Sequence, residues 1–263
     1  MSSAAGPSAA PEDVLVRREN GILIVTINRP AQRNAVNGAV SAGIAGALEL
    51  LDSSPELRVA VLHGAGTAFC AGMDLKAFAA GEQIRDPSRG FAGLVERPPA
   101  KPLIAAVEGW ALGGGFEIVL ACDLVTAGKG ARFGLPEARR GLAARGGGVF
   151  RLPRRLPQAV AMELIMTGSP LDAARAEHFG LVNRLVDDGQ ALAAALELAA
   201  QVAASAPMSV RASKAVAIES AGWPLAEGFE RQRAYLEPVF ASQDAAEGVA
   251  AFRERRDPVW QDR

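Results

Sequence analysis

Two glycine-bearing junctions constrain this chain of 263 residues more than any other feature of its sequence. The first, Ala68–Lys76, closes a buried strand and turns through Ala71 and Gly72. The second places the triple glycine Gly113–Gly115 where a helix is predicted to begin. Small residues leave backbone N–H groups uncovered, and the first N–H groups of a helix lack internal partners. Two such donors aimed at one point can stabilise a carbonyl oxygen that gains negative charge, although a triple glycine alone is also typical of a tight structural turn.

The composition is that of an ordinary globular protein, with 49% hydrophobic and 22% charged residues. A chain of this length predicts one α/β domain with a helical appendage. Lys and Arg number 28 and Asp and Glu 29, so the overall charge recruits neither nucleic acid nor an anionic membrane. The small, uncharged segment Met1–Pro11 predicts a disordered tail rather than a signal peptide, and no apolar run is long enough to span a membrane. We therefore expect a cytoplasmic protein.

Cysteine and histidine residues are too few and too scattered to predict a metal centre. Cys70 and Cys122 have no metal-ligand spacing and are expected to be free thiols that fill the core. His63 is expected to be a hydrogen-bonded histidine at a strand end rather than a base. The sequence thus predicts no metal, no nucleic-acid partner and no membrane partner.

Strand and helix patterns alternate along the first two thirds of the chain. A hairpin is predicted from the β-branched segments on either side of Glu19-Asn20-Gly21, followed by a helix over Gly38–Leu51. Buried strands are predicted at Val59–His63, Pro102–Val107 and Leu124–Thr126. A parallel sheet with crossover helices is the economical interpretation.

From residue 158 onward the chain consists almost entirely of helix-forming residues. Asp172 and Asp244 are predicted as helix N-caps, and Pro207 and Pro224 as first-turn prolines. The predicted helices are Gln158–Thr167, Asp172–His178, Gln190–Ala204, Pro207–Ser220, Pro224–Ala241 and Asp244–Arg255. We divide the chain into a tail (1–12), a core (13–200) and a C-terminal helical region (201–263).

Two glutamates follow the junctions at positions suited to proton transfer. Glu117 lies three residues after Gly114, in the predicted first helical turn, and Glu137 follows the helix-opening Pro136. Two carboxyl groups brought near one point can divide a proton between them. Either glutamate by itself could equally be a first-turn residue that stabilises a helix dipole.

In these residues the chain resembles the crotonase, or enoyl-CoA hydratase/isomerase, superfamily. The resemblance extends from Val14 to the C-terminus, and its segments occur in the order and spacing of that superfamily. They are Asn28-Arg29-Pro30, Arg33-Asn34-Ala35, Ala68–Lys76, Gly109–Glu117, Ala121-Cys122-Asp123, Phe133–Glu137, Gly147-Gly148, Thr167-Gly168 and Asp244–Gly248. The implied fold is α/β, a crotonase-type spiral core of ββα repeats with a C-terminal helical layer. Members form trimers or hexamers, so the resemblance implies a homotrimer or hexamer in which residues 201–263 are the trimerisation region.

The resemblance also assigns a role to each candidate site residue. The N–H groups of Met73 and Gly114 hold the thioester oxygen of an acyl-CoA, and Glu117 and Glu137 are the catalytic acids. The residues that bind the substrate or its CoA moiety are Arg29, Ala31, Ala71, Met73, Asp74, Leu75, Lys76, Gly113 and Gly114. Coenzyme A is part of the substrate, so no separate cofactor is implied. Arg33 and Lys101 are further cations that could be solvated or could meet the anionic nucleotide.

Hydratases of the superfamily carry a glutamate at both acid positions, as this chain does. The implied reaction is hydration of a trans-2-enoyl-CoA to a 3-hydroxyacyl-CoA through an enolate, with Glu117 activating water and Glu137 protonating C2. Two alternatives stay open. One is a double-bond isomerase or another CoA enzyme of this fold, and the other is a catalytically weak acyl-CoA-binding protein.

One position departs from the pattern of these hydratases. Arg145 replaces a glycine of their Pro-Gly-x-Gly-Gly segment, and a buried guanidinium there would lower the pKa of Glu137. We expect the Arg145 side chain to turn outward, because its long stem reaches solvent easily.

Two further groups of residues are open to more than one interpretation. The cluster Arg151, Arg154 and Arg155 is expected on a solvated face or at a subunit contact, not at a nucleic-acid site. The sequence does not decide whether Met73, Phe78 and Leu94 line an acyl pocket or only pack.

Overall fold

The computed structural model describes residues 12–263, so the predicted tail lies almost wholly outside the described residues. The strands are Val14–Glu19 (β1), Ile22–Ile27 (β2), Val59–Gly64 (β3), Arg85–Asp86 (β4), Gly90–Phe91 (β5), Leu103–Val107 (β6), Trp110–Leu112 (β7), Leu124–Gly128 (β8), Arg132–Gly134 (β9), Leu171–Asp172 (β10) and Arg184–Val186 (β11). The α-helices are Gly38–Ser53 (α1), Leu75–Ala79 (α2), Gly114–Ala121 (α3), Gly148–Arg155 (α4), Gln158–Thr167 (α5), Ala173–His178 (α6), Ala191–Ala203 (α7), Pro207–Glu219 (α8), Gly228–Phe240 (α9) and Gln243–Glu254 (α10). Short 3-10 helices span Pro30–Gln32, Pro136–Arg140, Ser220–Gly222 and Leu225–Glu227.

The largest sheet has the strand order β1-β2-β3-β6-β8-β11. Its first two strands form the predicted antiparallel hairpin, and every other pair in it is parallel. A smaller sheet has the order β10-β9-β7, and β4 pairs with β5. The predicted parallel sheet with crossover helices is therefore confirmed, with the hairpin as its edge.

Successive ββα units give one strand to each of the two larger sheets. In one unit β6 enters the large sheet, β7 enters the small sheet, and α3 follows; β8 and β9 repeat this division. The chain changes sheets at Gly109, whose φ of +56° favours glycine and where an added Cβ would collide with the carbonyl oxygen of Thr67. This turn carries the chain from a buried strand into the junction that precedes α3.

The core lies on both faces of the large sheet, because successive side chains of a strand point to opposite faces. One face packs against the buried side of α1, which includes Val40, Ile44 and Leu48. The other face packs against alanines of α7. Strand residues on the α1 side are Leu23, Val25, Ile27, Ala60, Leu62, Leu103, Ala105 and Val107, and those on the α7 side are Ile22, Ile24, Val59, Val61, Ile104 and Ala106.

Two of the predicted helix starts are confirmed. Asp172 caps α6, since its carboxylate accepts a hydrogen bond from the Arg175 N–H at 2.8 Å. Pro207 is the first residue of α8. The C-terminal third is helical as predicted, and α7 runs across the predicted boundary at residue 200, so the core and the helical region share that helix.

The other two predicted helix starts are wrong. Ser242, not Asp244, caps α10, because the Ser242 hydroxyl accepts the Ala245 N–H at 3.0 Å. The buried Asp244 carboxylate instead accepts the N–H groups of Gln261 and Asp262, which ties the C-terminal segment to α10. Pro224 precedes the 3-10 helix Leu225–Glu227, so α9 begins at Gly228.

Lys101 is a structural cation rather than a solvated or nucleotide-binding one. Its side chain is buried, and its Nζ donates to the carbonyl oxygens of Leu51, Ser54 and Leu57 at 2.7–2.8 Å. Burial lowers its pKa. The ammonium group satisfies carbonyls at and beyond the C-terminal end of α1, where a positive charge is favourable.

Replacing this cation is expected to destabilise the fold. Lys101→Met leaves three inward-facing carbonyl oxygens without their donor, so we expect the free energy of unfolding to fall by roughly 1–3 kcal/mol. Urea denaturation measures the change as a shift of the midpoint at constant m. Lys129→Met is the matched control, because Lys129 pairs with Asp187 on the exposed surface and such pairs contribute little. Equal midpoints for the two variants would contradict the structural role of Lys101.

Within residues 12–263, no single helix is long and apolar enough to cross a membrane. One helix pair, Ala191–Ala203 with Pro207–Gly222, meets the criteria of length and composition together but is bent by 108° at its break.

Candidate active site

The first junction exposes a backbone N–H at Met73. The segment around it lies beside Val36, whose N–H donates to the Gly72 carbonyl oxygen (2.8 Å) and whose carbonyl oxygen accepts the Asp74 N–H (2.9 Å). This parallel bridge leaves the Met73 N–H pointing away from Val36. Among residues 12–263 no backbone or side-chain acceptor receives that N–H.

The second junction presents the N–H of Gly114 in the same way. Gly113 precedes α3 with a φ of +53°, and its own N–H donates to the Gly134 carbonyl oxygen at 2.8 Å. The N–H of Gly114 finds no acceptor within the described part of the chain, as expected for the first residue of a helix. It therefore remains available to a ligand.

The two junctions lie in direct contact. Cys70 and Ala111 form a parallel bridge, in which the Leu112 N–H donates to the Cys70 carbonyl oxygen at 3.0 Å. A Cβ added to Gly72 would lie 2.9 Å from the Leu112 oxygen and 3.3 Å from the Gly114 nitrogen. Only glycine fits so close to the opposite backbone. The unpaired N–H groups of Met73 and Gly114 therefore lie on adjacent segments of the chain.

Asp74 and Arg29 support the first junction. The Asp74 carboxylate caps α2 by accepting the N–H groups of Lys76 and Ala77, and it also accepts a hydrogen bond from Arg29 Nη1 at 2.9 Å. The N–H of Ala77 and the Arg29 guanidinium both lower the pKa of Asp74. Arg29 donates further to the Ala35 carbonyl oxygen, so its charge is committed within the protein.

The remaining predicted CoA-binding residues lie around this support. Leu75, Lys76 and Ala31 are exposed, and Ala71 is half-buried. Arg33 is exposed as well. Solvent and a bound anion can thus reach two cations of the predicted set, Lys76 and Arg33. Arg29 instead forms an ion pair with Asp74 inside the protein.

Glu117 is buried in the first turn of α3. Its Oε1 accepts the Gly148 N–H at 2.9 Å, and its Oε2 would lie 2.6 Å from a Cβ added to Gly146. Burial raises the pKa of this carboxyl group, and the nearby Glu137 raises it further, while the Gly148 N–H and the Arg151 guanidinium act in the opposite direction.

Glu137 lies across from the second junction, in the 3-10 helix that Pro136 opens as predicted. Its Oε1 would lie 3.1 Å from a Cβ on Gly113. Its Oε2 is buried and has no hydrogen-bond partner within residues 12–263. Burial raises the pKa of Glu137. A buried, unpartnered carboxyl oxygen is costly unless it is protonated or meets a ligand.

Arg145 is exposed, as predicted, and the cation that lowers the pKa of Glu137 within residues 12–263 is Arg140. The departure from the hydratase pattern therefore places no guanidinium beside the acid. The expectation for the neighbouring arginines is wrong in part. Arg154 is exposed, but Arg151 and Arg155 are half-buried and donate to backbone carbonyl oxygens, Arg155 to that of Cys122 at 2.9 Å.

The cysteines and His63 have structural roles, and the Cys70 sulfur accepts the Gly72 N–H at 3.4 Å within the first junction. Both thiols are free and buried, and burial raises the pKa of each to about 12. His63 is bonded to the Thr26 hydroxyl at 2.8 Å, and burial lowers its pKa. Within the described residues no group of three or more His, Cys, Asp or Glu is placed to hold a metal ion.

Sequence reasoning missed two residues that shape the site. The ring of Phe91 packs so tightly on Gly114 that an added Cβ would collide with it, and Gly146 leaves the space that the Glu117 carboxylate fills. The signal in the sequence was the pair Gly90 and Gly93 on either side of Phe91, because nearby glycines indicate an irregular, close-packed segment. Both glycines have positive φ in the structure. Of the residues considered for an acyl pocket, Leu94 is fully buried, Met73 is half-buried and Phe78 is exposed.

Solved structures resemble this fold closely. A crystal structure of the enoyl-CoA hydratase EchA1 from Mycobacterium marinum aligns with a TM-score of 0.95 and 52% identity, covering 96% of this chain and 100% of that one. A crystal structure of a carnitinyl-CoA hydratase from Mycobacterium avium aligns with a TM-score of 0.78 and 46% identity, covering 97% and 100%. The fold is that of the crotonases, with the predicted ββα repeats and helical layer.

The sequence comparisons define the family. The family model described as enoyl-CoA hydratase/isomerase matches residues 17–263. The enoyl-CoA hydratase EchA19 of Mycobacterium tuberculosis is 43% identical over 95% of this chain and 97% of its own length. A carnitinyl-CoA dehydratase of Salmonella enteritidis is 42% identical over 96% and 99%. This chain therefore belongs to the enoyl-CoA hydratase/isomerase family, as its motifs predict.

Proposed function

We propose that this protein is a hydratase that adds water across the C2=C3 bond of a trans-2-enoyl-CoA. The observation that carries the proposal is the pairing of the buried Glu117 and the half-buried Glu137 carboxyl groups with two unpaired backbone N–H groups at one place in the fold. Such a set supplies both a proton relay and a site for a negatively charged oxygen.

The N–H groups of Met73 and Gly114 bind the thioester oxygen. When water attacks C3, electrons move through C2 and the carbonyl carbon onto that oxygen, and the two donors stabilise the resulting enolate. The donors are fixed by the Val36–Met73 and Cys70–Ala111 bridges, so they need little reorganisation during the reaction. The start of α3 adds its positive dipole at Gly114.

The two glutamates divide the proton transfers. Ionised Glu117 removes a proton from the attacking water, and protonated Glu137 delivers a proton to C2. Burial raises the pKa of both carboxyl groups, and the negative charge of Glu137 raises the pKa of Glu117 further, which favours a pair that holds a single proton. In the dehydration direction the roles are reversed.

The names of the relatives support the reaction class. Enoyl-CoA hydratase and carnitinyl-CoA dehydratase both denote gain or loss of water by a CoA ester. We therefore propose a hydro-lyase activity on an acyl-CoA thioester and treat the acyl group as the variable to be measured, with crotonyl-CoA and carnitinyl-CoA in one substrate panel.

We also propose assembly into a homotrimer or hexamer. The C-terminal helices expose large apolar side chains, including Leu225 (93% exposed), Phe229 (77%), Phe240 (80%) and Phe252 (86%). Several large apolar side chains left exposed in one part of the chain support an interface with another subunit. Analytical ultracentrifugation gives the mass that tests this assembly.

The hydratase proposal predicts uptake of solvent oxygen. Purified protein incubated with crotonyl-CoA in oxygen-18 water is expected to lose enoyl absorbance and to yield a 3-hydroxyacyl-CoA labelled with one solvent oxygen. Mass spectrometry of the product and the absorbance trace measure the two signals on the same sample. The control is the Glu117→Gln variant at equal concentration.

Each alternative gives a different result in this assay. A double-bond isomerase would leave crotonyl-CoA unlabelled and, with a 3-enoyl-CoA added to the panel, would move the double bond without incorporating label. A protein that only binds acyl-CoA would leave both signals unchanged while still shifting the intrinsic fluorescence or melting temperature with CoA esters. Either outcome across the whole substrate panel would reject the hydratase proposal.

A further inference from the structure

Arg151 is a half-buried cation on α4 for which the mechanism above has no use. Its Nη2 donates to the carbonyl oxygen of Val95 at 2.6 Å, and its Nη1 donates to that of Gly146 at 3.2 Å. One guanidinium thus joins two segments that are far apart in the sequence. The two carbonyl oxygens meet different nitrogens of one planar guanidinium, and a single ammonium nitrogen on a shorter side chain cannot occupy both positions.

The Gly146 side of the bridge is the loop that holds Glu117. The N–H of Gly148 donates to Glu117 Oε1, and the carbonyl oxygen of Gly146 accepts from Arg151. Gly147 between them has a φ of +102°, and a Cβ there would collide with Arg151 Nη1. The loop is therefore held from both sides. Its Gly148 N–H is bound by the Glu117 carboxylate, and its Gly146 carbonyl oxygen is bound by the Arg151 guanidinium.

The Val95 side of the bridge is the segment that packs on the second junction. This segment carries Phe91, whose ring lies against Gly114. Ala92, next to it, is fully buried with a φ of +55°, a conformation that is unfavourable for alanine and persists only where surrounding contacts impose it. The hydrogen bond from Arg151 to Val95 holds the end of this segment.

We propose that Arg151 is a positioning residue, whose two donor groups fix the loop that binds the Glu117 carboxylate relative to the segment that packs on Gly114. The inference depends on the proposed hydratase function for its kinetic readout only. Arg151 does not touch the reacting atoms; it acts through Gly146 on the base and through Val95 on the oxygen-binding junction.

Electrostatics give the same residue a second effect. The charged side chains that act on Glu117 from other elements are Glu137, on the 3-10 helix Pro136–Arg140, and Arg151, on α4, which packs against α3. Arg151 lowers the pKa of Glu117 and Glu137 raises it. Loss of the Arg151 charge therefore raises the pKa of Glu117. On the acidic limb of the pH profile kcat falls because Glu117 becomes protonated, so this limb moves to higher pH.

The test compares Arg151→Met and Arg151→Lys with the control Arg154→Met, which removes the same charge from an exposed position of the same helix. Arg151→Met is expected to lower kcat at least about tenfold and to move the acidic limb to higher pH. In Arg151→Lys the acidic limb is expected to return towards its wild-type pH, since an ammonium keeps the positive charge. Its kcat is expected to stay low, since the ammonium does not form both hydrogen bonds of the bridge. Arg154→Met is expected to change neither.

Two readouts work without turnover. Hydrogen exchange by mass spectrometry is expected to speed up in the peptides containing Gly146–Gly148 and Val95 of both Arg151 variants. Carbon-13 carboxyl NMR, with Glu117 assigned from the Glu117→Gln spectrum, follows the titration of Glu117 directly. If the wild type hydrates no enoyl-CoA, the proposed function is wrong, but hydrogen exchange and the NMR titration still test the positioning role of Arg151.

Several outcomes would overturn the inference. Unchanged exchange in both segments of Arg151→Met, or full recovery of kcat by Arg151→Lys, contradicts a positioning bridge. An equal shift of the limb in Arg154→Met contradicts the electrostatic effect assigned to Arg151. If Arg151→Met does not fold, Arg151→Lys carries the test alone through its exchange rates and its kcat.

Discussion

Glu117→Gln and Glu137→Gln are each expected to lower kcat at least about a hundredfold while CoA binding stays close to that of the wild type. Glutamine keeps the shape of the side chain and an oxygen that can accept the Gly148 N–H, but it neither accepts nor delivers a proton at neutral pH. The loss therefore reports proton transfer rather than collapse of the loop around Glu117.

Steady-state hydration of crotonyl-CoA gives kcat, and isothermal titration with a CoA ester gives binding. Glu108→Gln is the matched control, because the half-buried Glu108 side chain also accepts a backbone N–H, from Ala191 at the start of α7 at 2.9 Å, and only the backbone of Glu108 contacts the first junction. It is expected to keep wild-type kcat. Unchanged turnover in Glu117→Gln or Glu137→Gln would refute the acid and base assignment.

The two variants are also expected to differ in their pH profiles. Hydration needs Glu117 ionised, so kcat of the wild type falls as the pH drops through the raised pKa of Glu117; it needs Glu137 protonated, so kcat falls again as the pH rises through that of Glu137. Each glutamine variant is expected to lose the limb that belongs to its own carboxyl group.

The junctions could be predicted from sequence because their requirements are local. Small residues after a buried strand and three glycines before a helical run fix where backbone N–H groups stay uncovered. The same reasoning placed Glu137 after Pro136 and turned Arg145 towards solvent, and both placements are confirmed.

Contacts between distant segments could not be predicted in this way. Lys101 and Arg151 look like surface cations in the sequence, yet each donates to carbonyl oxygens that only the folded chain brings within reach. Nothing local distinguishes a cation that meets such oxygens from one that meets water. The prediction that Asp244 caps α10 was wrong for a related reason. Ser242 and Asp244 are both good capping residues, and the C-terminal segment that donates hydrogen bonds to Asp244 is distant from it in the sequence.

The strongest test of the oxygen-binding geometry is Gly72→Ala, which is expected to lower kcat by about a hundredfold to a thousandfold, the loss typical of removing one oxyanion donor. Gly72 has a φ of +98°, and its Cβ would press on the Leu112 oxygen at 2.9 Å and approach the Gly114 nitrogen at 3.3 Å. The first junction must then move away from the second, and the Met73 N–H moves with it.

Backbone strain alone does not produce this effect, and Gly189→Ala separates the two causes. Gly189 has a comparable φ of +84°, but nothing lies within 4 Å of its added Cβ. Both variants are expected to lose some thermal stability, because alanine is unfavourable at positive φ, whereas only Gly72→Ala is expected to lose kcat. Equal kcat in the two variants, with both folded by circular dichroism, would mean that the close approach of the junctions is not what stabilises the enolate.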